Sequence, residues 1–196
     1  MENLKLNNLL LFCLVLCLAA CSNDDEGAAL QVYTIGDVGP AGGYIFYVDE
    51  DEDFEEWTYL EAAEHNVLNS AVTTSNNYVW ALPRLSPFTR PGIGTGLSNT
   101  LAIVSAVEDQ STRAANAANN FESNGYNDWF LPSRNELTAL YNAAPEDKSE
   151  WKFESNSYWS STGSGVDYTW CRSFPGGSET EWRQDYSFFV RPIRRF

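Results

Sequence analysis

The chain has 196 residues, seven of them tryptophan, with 27 acidic and 12 basic side chains and a net charge of −15 at pH 7. An acidic excess of that size repels phosphate backbones, which excludes nucleic acid as a partner and disfavours heavily sulfated polysaccharide. One histidine and four cysteines narrow the nucleophilic, metal and disulfide chemistry open to it.

The first predicted element is a signal peptide over residues 1–20. LLLFCLVLCLAA is an apolar run of twelve residues, too short to span a bilayer and suited to a signal-peptide core. It ends in LAAC, the pattern of a bacterial lipoprotein signal in which cleavage leaves Cys21 as the acylated N-terminus. Cys13 and Cys17 then leave with the signal, and Cys171 is the one remaining thiol, so stability must come from a core and not from disulfides. Residues 21–30 are small, polar and acidic, the composition of a flexible tether. Asp24, Asp25 and Glu26 after the lipidated cysteine resemble the signal that sends some Gram-negative lipoproteins to the outer face of the outer membrane. The expected location is the outer membrane, held by lipid and facing the exterior.

Residues 31–196 are expected to form one domain. In IGDVGPAGGYIFY, Gly36, Gly39 and Gly42 recur every third residue, as in collagen, but the period breaks at Gly43 and runs into a strand-like segment. The physics favours a glycine-rich turn. QVYTI, YIFYV and YVWAL read as strands, and WTYLEAA is ambiguous between strand and helix. Between them DEDEDFEEW places Asp49, Asp51 and Asp53 at the first, third and fifth positions of an EF-hand loop. Phe54 and Leu60 replace its required glycine and glutamate, which rejects that loop. A looser calcium site on Asp49, Asp51 and Asp53 stays open beside a solvated acidic hairpin tip.

GLSNTLAIVSAVED carries Leu97, Leu101, Val104 and Val107 at helical spacing, and TRAANAANNF is alanine-rich enough for a second helix. In LPSRNELTALY, Ser133 and Glu136 form a capping box ahead of an apolar stripe of Leu137, Leu140 and Tyr141. SYWSST, YTWCRSF and DYSFFVRPIRRF return to strand character, separated by GSGVD and PGGSETE, which read as loops. The order of strands, helices and strands predicts an α+β domain with two to three helices and terminal strands free to pair. His65 lies in EAAEHNVLNS without a catalytic signature, and Cys171 sits inside a strand-like segment where a small buried residue is expected. Trp151, Phe153 and Trp182 lie among polar residues and are the available surface for stacking on a sugar ring.

GDVGPAGGYIFYV, GTGLSNTLAIV, NGYNDWFLPSRNELTALY, SYWSST and YSFFVRPIRRF, in this order and spacing, resemble the Lcl C-terminal domain, a family also known as DUF1566. The resemblance covers residues 35–196. It implies a C-type-lectin-like fold in which the terminal strands pair and long loops between the later strands carry ligand contacts. On that fold the loops at 146–156, 163–168 and 175–182 should converge, bringing Trp151, Asp167, Glu181 and Trp182 to a shared ligand-binding surface. Two departures matter: Ala118 stands about where many relatives carry a cysteine able to pair with one at position 171, and the sulfated glycans linked to the bacterial collagen-like adhesin after which the family is named suit this acidic chain poorly. The resulting expectation is a non-enzymatic, surface-anchored lipoprotein that binds carbohydrate or a surface protein, with adhesion as its role. Its rivals are a structural or protein-recognition subunit of a cell-surface assembly and a formylglycine-generating type of enzyme, which needs two thiols for its copper site.

Overall fold

Between residues 44 and 62 the chain makes a hairpin of β1 (Tyr44–Val48) and β2 (Tyr59–Ala62), and the C-terminal strand β8 (Ile193–Arg195) lies antiparallel against the far side of β2. The structure, a computed structural model, describes residues 31–68, 77–81, 86–106 and 113–196. Residues 1–30, which hold the predicted signal, Cys21 and the tether, lie outside the described residues, as does Val107. Three helices follow the first strands: α1 (Gly96–Ala106), α2 (Ala114–Asn119) and α3 (Arg134–Ala143). A second antiparallel sheet, in the order β4 (Ser157–Ser164), β5 (Tyr168–Ser173), β6 (Glu179–Arg183), comes next. A two-stranded ribbon joins β3 (Tyr78–Val79) to β7 (Ser187–Phe188). This is a mixed α+β fold with the terminal strand paired into the N-terminal hairpin.

β4 separates two cores because adjacent strand residues face opposite ways. Tyr158 packs with Phe46, Leu60, Leu137, Phe153 and Phe174 on one side, while Trp159 packs with Trp80, Ile103, Ala118, Cys171 and Val190 on the other. Ala118 and Cys171 share the second core, so the alanine fills space in the region where a disulfide was considered.

Three expectations change. Residues 31–34 form no strand; Tyr33 instead sets its ring edge-on against Tyr59 and Phe196. The buried face of α1 is Gly96, Asn99, Thr100 and Ile103, whereas Leu101 is 51% exposed. Polar staples override the apolar stripe: the Asn99 side chain accepts from Arg90 N at 2.8 Å and donates to Arg90 O at 2.6 Å, and Thr100 Oγ1 accepts from Leu131 N at 3.0 Å. Finally, PGGSETE is loop only in its first part, since β6 begins at Glu179.

Gly39, within the collagen-like spacing, and Gly43, just past it, have a local cause. Glu61 on β2 is fully buried and accepts from Ala41 N at 3.1 Å and Gly43 N at 2.7 Å, with Arg194 Nη1 at 3.2 Å as its counter-charge. A Cβ at Gly39 would stand 2.5 Å from the Glu61 carboxyl carbon, and one at Gly43 would stand 2.0 Å from Ala62 O. The glycines let the turn wrap a buried carboxylate.

The capping box at α3 serves the same purpose for a second turn. Glu136 accepts from Ser133 N at 2.6 Å, as predicted, and also from Gly94 N at 2.8 Å. Burial pushes its carboxyl up to about 7, against the downward pull of the Ser133, Gly96 and Gly94 amides.

Candidate functional site

The loop after α3 makes a single 3₁₀ turn, Lys148–Trp151, and ends at Lys152 in the left-handed region with φ 58°. What holds it there is Arg191, buried at the end of the chain. Its guanidinium donates to Ala63 O, Glu64 O, Trp151 O and Lys152 O at 2.8 to 3.0 Å and to Asn66 Oδ1 at 2.8 Å, with the Phe153 ring 4.0 Å away. Neutral oxygens from two segments replace its hydration, and burial draws it down to about 10. The two segments become the walls of an open groove of about 770 Å³ lined by His65, Val67, Phe121, Lys152 and Phe153.

The same clamp accounts for Trp151. Its ring is 6% exposed and stacks on Tyr44 at 4.8 Å with the planes 3° apart. Phe153 is also buried, against Phe174 at 4.2 Å. Both were expected as surface aromatics and both are core. The flanking polar residues conceal this, because Lys152 and Glu154 point to solvent on either side of an inward Phe153.

Trp182 is where the sequence placed it, at the surface. It is 38% exposed on β6, donates Nε1 to Thr180 Oγ1 at 3.1 Å, and packs at 4.9 Å against Tyr186, itself 48% exposed. Phe188 supports it from beneath at 5.6 Å. Arg183 and Asp185 pair at 2.6 Å, with Arg183 projecting from the opposite face of β6 to Trp182. Sequence reasoning missed Tyr186, Arg183 and Asp185, because ETEWRQDY shows no apolar alternation that would mark a strand.

Glu181 is exposed and hydrogen-bonded by Ser164 across the sheet. The partners of Glu181 and Trp182 on β5 are Trp170 and Thr169, so the two side chains project from opposite faces. Asp167 sits at the turn before β5, its backbone oxygen receiving Gln184 N at 2.9 Å and its Oδ1 buried without a hydrogen-bond partner among the described residues. Asp167, Glu181 and Trp182 therefore share one end of the second sheet, but Trp151 belongs to the core beside the first. The four do not form one face.

Asp49, Asp51 and Asp53 do not converge either. Asp49 is buried and accepts from Phe54 N at 2.9 Å, which closes the turn, while Asp51 and Asp53 face solvent. Among the described residues no three His, Cys, Asp or Glu side chains are grouped to hold a metal ion. The Cys171 thiol is buried, and burial pushes it up to about 11 against the hydrogen bond to Thr180. The His65 imidazole is exposed and lies 3.5 Å from Glu64.

With this geometry in view, the Lcl C-terminal domain model matches residues 56–194, more than two thirds of the chain. The chain belongs to the Lcl C-terminal domain family. The match takes in Glu61, Glu136 and Arg191, so the charges that pin the three turns of this Lcl domain lie inside the family region. No curated protein matches the chain.

Proposed function

We propose that this Lcl domain is a non-catalytic carbohydrate-binding module that serves adhesion, carried on the outer face of the outer membrane by lipid on Cys21. The observation that carries the reading is the Trp182–Tyr186 pair, two exposed rings 4.9 Å apart with the Thr180 hydroxyl 3.1 Å from the indole nitrogen on the same face. A sugar presents an apolar face to such rings and hydroxyls to such a polar neighbour, and rigid aromatic anchors dominate small binding surfaces. The acidic charge favours neutral or amine-bearing glycans over sulfated ones. A thiol raised to about 11 is a weak nucleophile, which supports the non-catalytic reading.

A glycan array probed with the purified protein tests this. Retention on neutral or amine-bearing glycans, and not on sulfated ones, is expected. A clean negative beside specific capture of a surface protein would replace the reading with protein recognition.

A further inference from the structure

Among the described residues β6 is an edge strand: it pairs with β5 on one side, and Thr180, Glu181, Trp182 and Arg183 are exposed. Its outward hydrogen-bonding groups follow from the pairing. Ser173 N donates to Ser178 O and Gln184 N to Asp167 O, each at 2.9 Å, so residues 178, 180, 182 and 184 face β5. By the antiparallel alternation, the N–H and C=O groups of Glu179, Glu181 and Arg183 point away from the sheet. An edge of this kind is a template for another strand.

We propose that β6 pairs antiparallel with β6 of a second copy of this chain, centred on Trp182, to join two three-stranded sheets into one of six. The register is selected by charge. Only residues 179, 181 and 183 can exchange outward hydrogen bonds, which leaves three self-pairings that exchange more than one residue pair. Centring on Thr180 sets Glu179 opposite Glu181 twice, and centring on Glu181 sets that carboxylate opposite itself between two Glu179–Arg183 pairs. Centring on Trp182 sets Glu181 opposite Arg183 twice, and Glu179 would come opposite Asp185 only past the end of β6, where the chain turns away. In that register Trp182 meets Trp182 on the other face as a non-hydrogen-bonded pair, the closer kind. The Arg183 carbonyl already accepts from Tyr186 N at 3.1 Å and has a second lone pair to offer, and the chain turns away there, so the pairing stays short. The Trp182–Tyr186 platforms of the two copies then lie side by side on one face. The argument for the pairing does not use the carbohydrate reading.

Sedimentation equilibrium of the purified protein up to about 1 mM tests it. So short an interface predicts a dimer with Kd between about 10 µM and 1 mM. Because the interface is two-fold, each substitution counts twice: Glu181→Arg alone and Arg183→Glu alone should each weaken the dimer at least about tenfold. Mixing those two variants restores Arg opposite Glu at both positions and should bring back a heterodimer near wild-type affinity. Thermal unfolding of each variant checks that the exposed substitutions leave the fold intact. A protein monomeric to 1 mM, a dimer indifferent to both substitutions, or single variants that stay monomeric when mixed would each overturn the proposal.

Discussion

Arg191 is a buried cation with no carboxylate partner among the described residues, satisfied by five oxygens from two segments. Replacing it with methionine keeps much of the volume but leaves those oxygens without donors, and the cost should be about 3 to 5 kcal/mol in a urea melt. Glu136 makes a prediction that depends on pH. Its folded value of about 7 lies above the ordinary 4.5, so the folded state binds the proton more tightly than the unfolded chain. That contribution is fully present below about pH 4.5 and is lost as pH rises to about 7, on the order of 3 kcal/mol. Wild type compared with Glu136→Gln from pH 4.5 to 8 should show this slope in the wild type alone. Parallel curves would mean that the carboxylate keeps its ordinary value.

Among the elements, α3 was legible because its signal is local: cap, acid and apolar stripe all lie within nine residues. β6 was not, since an exposed edge strand shows no apolar alternation and ETEWR reads like the loop before it. Trp151 was misread for a related reason: the partner that buries it, Tyr44, is over a hundred residues away. The acidic hairpin was also judged from composition, and its aspartates turned out to be split between a turn and solvent. Calcium at 1 mM should therefore shift the melting temperature by less than about 1 °C, because a ligand with no site on the folded state adds no stability. A larger rise would place a calcium site on the folded protein.

For the whole molecule, three family motifs were legible as motifs while their purpose was not. The glycines, the PSRNEL cap and the terminal arginines each serve a buried charge that fixes a turn, so their conspicuousness reports architecture and leaves the surface to carry recognition. Anchoring is a separate matter: Cys21→Ser should release the protein from the membrane fraction, whereas alanine at Asp24, Asp25 and Glu26 should reduce protease accessibility on intact cells and leave lipidation unchanged. The most direct measurement compares wild type and Trp182→Ala for binding to a glycan retained on the array, with thermal unfolding of both. Loss of one stacked ring is worth about 1 to 2 kcal/mol, so binding should weaken at least about fivefold while the melting temperature moves by no more than about 3 °C. Undiminished binding by the variant would contradict the account, as would a domain that unfolds when the ring is removed.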